Sequence, residues 1–281
     1  KKSQSLSWTQ TLSGLVGDTP IQLSATSNSE LPVAYTSSNT NVATIEGNVL
    51  TIVGEGTSTI TAKQSGNNIY NAASEISKTI TVSKKSQAIT WTQTLSAFVD
   101  DAPIQLLATT NSELPVVYTS SNVNVATIEN DFLTIVGEGT STITAKQAGN
   151  GTYNAATNIT KTITVTKRSQ LITWDQALSA KVGDSPILLT ASSDSDLPVT
   201  YTSSNTKVAT IDGKILMIVG EGASVITASQ PGNTIFKSAK AVDKMLVVTG
   251  TSGINDTDYG KLHIYPNATR GIVNIKTEND A

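Results

Sequence analysis

The sequence predicts an all-β protein: three β-sandwiches in tandem in an elongated array, followed by a partial β segment at the C-terminus. Three observations carry this. The 281-residue chain repeats itself at a step of 83: Trp8, Trp91 and Trp174 keep it, as do Pro20, Pro103 and Pro186, and Tyr35, Tyr118 and Tyr201. Within each copy, apolar and polar residues alternate over short runs, the signature of half-buried strands. Gly-, Asn- and Ser-rich turns separate those runs at regular spacing, which argues for a sandwich. The expected boundaries are 1–83, 84–166 and 167–248 for the repeats, 249–260 for a linker and 261–281 for the partial segment. A unit of 83 residues is long enough to bury its own core, with modest stability in reserve.

Each element has its reason. Leu6 and Trp8 share one face of a first strand, as do Ile89 with Trp91 and Ile172 with Trp174. Thr9 to Pro20 reads as a loop. Ile21, Leu23 and Ala25 make the inward face of the next strand. Asn28 to Pro32 is a turn, and Pro32 at a strand start withholds no needed donor. Val33 and Tyr35 alternate with polar residues up to the corner Ser37-Ser38-Asn39, whose side chains suit local backbone bonding. Val49 to Val53 is a short apolar run, and Gly54-Glu55-Gly56 turns the chain. Thr57 to Gln64 then runs back with Ser58, Ile60 and Ala62 on one face and threonines on the other, where branched side chains fit a pleated surface. Tyr70, Tyr153 and Phe236 are expected to plug the sandwich ends. Ile76, Ile80 and Val82 close the core from the last strand.

Ser83 to Ser86 is the whole linker between the first two repeats. Its adjacent Lys84 and Lys85 are read as solvated charges that repel and extend it. The first two repeats agree at roughly three-quarters of positions, the third less. No repeat carries an extra loop of the kind a specialised catalytic centre needs.

Composition narrows the function. There is no Cys, so no disulfide or thiolate metal site exists. The one His, His263, lies beyond the repeats, which rules out a Ser-His-Asp triad or His zinc site within them. A net charge of −3 gives no nucleic-acid footprint, and no apolar run is long enough for a membrane helix. No cofactor is expected. The chain opens on KKSQ, as the second repeat does, and is read as a piece of a longer protein.

Four groups of residues invite a chemical reading. Asp18, Glu30, Glu46 and Glu55, with their counterparts, could pair as glycosidase acids, or be ordinary turn residues. Asp194 and Asp196 offer two carboxylates toward calcium, which needs more oxygens. The three Trp could stack on sugar, or fill the core as their alternation with Ile89 and Ile172 indicates. Val49, Phe132 and Ile215 have the opposite parity to Leu50, Leu133 and Leu216, so both faces of one strand are apolar. Either a loop covers them or they form a lateral contact face.

YTSSNTNVATI, the apolar run before GEG, and TSTITA resemble the bacterial immunoglobulin-like domains of group 2, over nearly all of residues 1–248. That resemblance implies small Greek-key sandwiches found in surface proteins, adhesins and secreted enzymes, with no shared active site. The tail residues Ile264-Tyr265-Pro266-Asn267, Gly271 and Ile272 to Ile275 resemble the start of the type IX secretion C-terminal sorting domain of the Bacteroidetes. Ala268 departs from the Pro common there, and the later strands are missing. The resemblance implies export through secretion machinery to the extracellular space or outer cell surface. The expected function is a non-catalytic spacer stalk. One alternative is a self-associating or adhesive array, meeting copies of itself or a surface glycan. Another is an accessory carbohydrate-binding region of a secreted enzyme.

Overall fold

A computed structural model describes residues 1–250 and the strands His263–Pro266 and Val273–Lys276. Among the described residues, every element is a strand. Repeat 1 contains β1 (Leu6–Ser7), β2 (Ser13–Leu15), β3 (Ile21–Gln22), β4 (Thr26–Ser27), β5 (Ala34–Ser37), β6 (Ala43–Glu46), β7 (Val49–Ile52), β8 (Gly56–Lys63) and β9 (Ile76–Ser83). One layer has the order β2-β9-β8-β5 and the other β3-β7-β6, with β1 paired to β4. β3 and β4 are two pieces of one strand, and β1 and β2 are two pieces of the first strand, shared between the layers. Counted that way, there are seven strands in an immunoglobulin-like arrangement. Repeats 2 and 3 have the same strand orders. The chain is a tandem array of immunoglobulin-like sandwiches.

The segment Thr9 to Pro20, expected to be a loop, contains β2, which pairs parallel with β9. Ser13, Gly14 and Leu15 show no apolar alternation; the edge of β9 supplies the pairing instead. Between β1 and β2 the chain dips inward and buries Trp8 and Leu12. Gln10 satisfies the polar groups of this crossing. Its Oε1 accepts from the Trp8 indole N–H at 3.0 Å, and its Nε2 donates to the Gln22 carbonyl at 2.8 Å.

Leu50, Ile60 and Ile80 are fully buried and Val82 nearly so, as their strand parity requires. Each such side chain contributes about 1.5–3 kcal/mol by leaving water. Trp8 meets the Tyr35 ring edge-on at 5.7 Å, and the Lys78 ammonium lies 5.7 Å from the Trp8 ring centre. The Tyr35 hydroxyl accepts from the Ala25 N–H at 2.8 Å. Burial pushes the phenols of Tyr35, Tyr118 and Tyr201 up, partly offset by these backbone bonds. The polar corner is tied to β8 by the buried Ser58 hydroxyl, which meets the Ser37 hydroxyl at 2.8 Å and accepts from the Asn39 N–H at 3.0 Å.

The aromatic in the loop after β8 does not plug the core. Tyr70, Tyr153 and Phe236 are only half-buried and stand outside the core clusters. Hydrogen bonds hold this loop instead. Asn67 Oδ1 accepts from the N–H groups of Ile69 and Tyr70, and Lys2 bridges to Tyr70. Gly66 is needed there, since φ is +74° and a Cβ would stand 2.4 Å from the Tyr70 carbonyl oxygen.

Residues Lys1–Thr166 form one unit and a second begins at Lys167. Inside the first unit the junction differs from the expected four-residue linker. Lys85 is already part of repeat 2: its N–H donates to the Thr152 carbonyl at 2.8 Å and its carbonyl accepts from Asn154 at 2.9 Å. Only Lys84 separates it from the end of β9. Nor are the two cations merely solvated charges extending a spacer. Lys84 reaches Glu55 at 3.7 Å and Lys85 reaches Asp18 at 3.5 Å, with both lysines about a third exposed. The acids of repeat 1 receive the charge that would otherwise repel.

Candidate functional site

The carboxylates serve local structure. Asp18 Oδ2 accepts from the Leu15 N–H at 2.8 Å and holds the turn after β2. Glu30 occupies a left-handed turn position with φ of 61°. Glu46 ends β6 opposite Val49, and Glu55 faces Lys84. Asp194 Oδ1 accepts from the Leu171 N–H at 2.9 Å. Among the described residues, no three His, Cys, Asp or Glu side chains cluster to hold a metal. A cleft beside Tyr35 is lined by Leu23, Ala25, Pro32, Val33 and Asn48, with no acid or base other than the phenol. The three Trp are 5–6% exposed and lie in the core clusters, so they offer no face to a sugar.

The outer faces are the informative surfaces. β7 presents Leu50 and Ile52 inward, and Val49 and Thr51 outward. Val49 is half-buried beside its partners Gln22 and Glu46. Phe132 and Ile215, at the same position, are 47% and 40% exposed. In repeat 3 the surroundings change as well: Leu188 and Met217 stand where repeat 1 has Gln22 and Thr51. Leu188 pairs directly with Ile215, and Met217 follows on the same face. A small apolar patch results.

A second apolar face went unnoticed in the sequence. On the four-stranded layer, repeat 1 exposes Thr57, Thr59, Thr79 and Thr81. Repeat 2 exposes Thr140, Thr142, Thr162 and Thr164. Repeat 3 has Ala223, Val225, Met245 and Val247 instead. Met245 is 60% exposed and Val247 49%. Read alone, VDKMLVV looks like a strand buried on both faces. The usable signal is the comparison at the 83-residue step, where threonine gives way to apolar residues.

In the tail, Tyr265 and Pro266 lie in the strand His263–Pro266, which pairs antiparallel with Val273–Lys276. Asn267 and Gly271 lie outside the described residues, as does nearly all of the expected linker 249–260.

No family model matches the chain, and no curated protein matches it. Among solved structures it is similar to mouse protocadherin-24 EC1-3, with 14% identity and a TM-score of 0.38 over 85% of this chain and 96% of that one. Titin domains I67-I69, in an E-to-A mutated variant, give 11% identity and a TM-score of 0.36 over 89% and 99%. Domains 1-6 of the surface layer protein SbsC give 15% and 0.30 over 93% and 41%. Overlaps this low carry no functional argument, and the fold rests on the strand orders above.

Proposed function

We infer that the chain is a non-catalytic spacer stalk of an exported bacterial surface protein. One observation carries this reading: the junction of repeats 1 and 2. A single residue, Lys84, lies between the end of β9 and the bridged Lys85, and two ion pairs fasten both lysines to repeat 1. Such a joint suits a stiff spacer better than a flexible tether. The near-identical cores, without a specialised loop, fit the same use. The boundaries 1–83, 84–166 and 167–248 belong to this reading. The resemblance to group 2 immunoglobulin-like domains and to a type IX sorting segment at Tyr265, Pro266, Asn267 and Gly271 supplies the bacterial, exported setting. Small-angle scattering tests it: each repeat should add about 35–40 Å to the maximum dimension. A dimension matching a compact globule of the same mass removes the support.

A second reading is a self-associating or adhesive array. It is favoured by the exposure of Phe132 and Ile215 on equivalent strands, Val49 being the less exposed third member. Sedimentation should then show association that Phe132→Thr with Ile215→Thr abolishes. Unchanged monomer at every concentration removes this reading.

A further inference from the structure

We propose that Asn150 is a site of spontaneous self-modification: the Gly151 backbone nitrogen displaces its side-chain amide, and the product loosens the joint between repeats 1 and 2. Asn150-Gly151 is the one Asn-Gly step in the sequence; repeat 1 has Asn67-Asn68 there and repeat 3 has Asn233-Thr234. The fold does not demand this glycine. Gly149, two residues earlier, has a φ of +77° and backbone atoms where a Cβ would stand. Gly151 lies outside the left-handed region, and a Cβ there meets nothing within 4 Å.

Both residues are exposed, on the loop between the strands Gly139–Lys146 and Ile159–Thr166. Asn150 Oδ1 accepts from the N–H groups of Thr152 at 2.8 Å and Tyr153 at 2.9 Å. These donors sit where negative charge develops as a nucleophile adds to Cγ. Among the described residues the Gly151 N–H has no acceptor, so it is open to base from solvent. The Gly151 nitrogen gives up its proton to that base and bonds to Asn150 Cγ. The Cγ–Nδ2 bond breaks, and Nδ2 takes a proton from water and leaves as ammonia. Water then opens the cyclic imide. Cleavage at one carbonyl gives aspartate; at the other it gives isoaspartate, whose main chain is one carbon longer. One water is consumed, one ammonia is released, and no oxidant or reductant takes part. Asn67 Oδ1 accepts the same two bonds at 2.7 and 2.9 Å, and Asn233 Oδ1 at 2.8 Å each. The residue that follows is what sets Asn150 apart, since glycine offers an unhindered nitrogen.

This turn is where repeat 2 grips the incoming chain. The Thr152 carbonyl accepts from the Lys85 N–H at 2.8 Å, and the Lys85 carbonyl accepts from the Asn154 N–H at 2.9 Å. The Thr152 methyl lies against repeat 1, 3.6 Å from where a Cβ on Gly17 would stand. The Lys85 ammonium in turn reaches Asp18. In isoaspartate the former side-chain carbonyl of Asn150 becomes part of the main chain. The turn built on its two bonds is lost, and with it the hold on Lys85. The chemistry stands without the spacer reading; only the loosening of a stiff stalk rests on it.

The three equivalent turns make the experiment internally controlled. The intact folded chain is held at mildly alkaline pH, and peptide mass spectrometry follows Asn67, Asn150 and Asn233. Asn150 should convert several-fold faster than the other two and yield isoaspartate as well as aspartate. Gly151→Asn, which copies repeat 1, should slow it to the rate of Asn67. Equal rates at the three turns overturn the proposal, as does conversion of Asn150 seen only after denaturation. Hydrogen exchange then reads the joint. In converted protein the Lys85 N–H should exchange several-fold faster, while the Arg168 N–H, bonded to the Ile235 carbonyl at 2.8 Å in repeat 3, should not change. The Gly151→Asn chain, incubated alongside, should keep Lys85 protected. Unchanged exchange at Lys85 in isoaspartate-containing protein overturns the coupling to the joint. Scattering on fresh protein tests the spacer independently, so either reading can fail alone.

Discussion

Repeats 1 and 3 agree inside and differ outside. Leu50, Ile60 and Ile80 are fully buried in repeat 1, and Leu216, Ile226 and Leu246 are fully buried in repeat 3. On the outer faces, Gln22, Thr51, Thr59, Thr79 and Thr81 give way to Leu188, Met217, Val225, Met245 and Val247. Core positions are held by packing, where one methylene is felt. Outer positions are free of that constraint, so whatever meets the surface sets them. The difference teaches that three copies of one fold do not imply three copies of one task.

The sharpest test exchanges nothing and truncates the shared core. Ile60→Ala and Ile226→Ala should each cost about 2–5 kcal/mol in their own sandwich. Chemical denaturation should show one shifted transition in each variant. A shift of all transitions together breaks the picture of equivalent, separate cores. Next in size is the hydroxyl hub. Ser58→Ala or Ser224→Ala leaves the Asn39 or Asn205 N–H without its acceptor, and each should cost about 1–3 kcal/mol.

Alkaline pH gives a smaller effect common to all repeats. The phenols of Tyr35, Tyr118 and Tyr201, the first half-buried and the other two buried, have raised pKa values, so the fold favours their neutral form. Their contribution is fully present below the unfolded phenol's value of about 10 and is lost as pH rises through the folded values. Melting temperature should fall across that window, and a triple Tyr→Phe variant should flatten the curve. The smallest effect separates repeat 1 from the others. Gly14 occupies the place of Ala97 and Ala180, and an added Cβ would overlap Cδ1, the far end of the Ile52 side chain, with Asp18 Oδ2 at an ordinary 3.9 Å. Gly14→Ala should stabilise repeat 1 by about 0.4–1 kcal/mol through the unfolded chain, read from its own transition. A loss instead would mean that Ile52 cannot shift.

The all-β fold was legible because parity in β5, β7, β8 and β9 is strict and the 83-residue step repeats it. β2 was not, since its three residues take their pairing from β9, 68 positions away in sequence. Loop anchoring was misread for a related reason. An aromatic such as Tyr70 announces burial, but here the Asn67 side chain and the Lys2 backbone hold the loop. Charge alone did not reveal that Asp18 and Glu55 meet Lys85 and Lys84, because ion pairing depends on where the turns lie. For the outer apolar positions, parity singled out Val49, Phe132 and Ile215, whereas Met245 and Val247 stood out only against their threonine counterparts.

The parallel pairing of β2 with β9 bears on mechanics. These strands come near the two ends of the repeat in sequence and lie side by side in space, with Ser13 beside Thr81 and Leu15 beside Ser83. Tension applied through the chain peels the short β1 first, then draws β2 and β9 past each other along their length. The hydrogen bonds between them are loaded together, in shear, instead of opening one by one like a zipper. Forced unfolding follows the barrier, not the equilibrium free energy. A sandwich of modest melting stability therefore withstands a pull better than its denaturation curve implies.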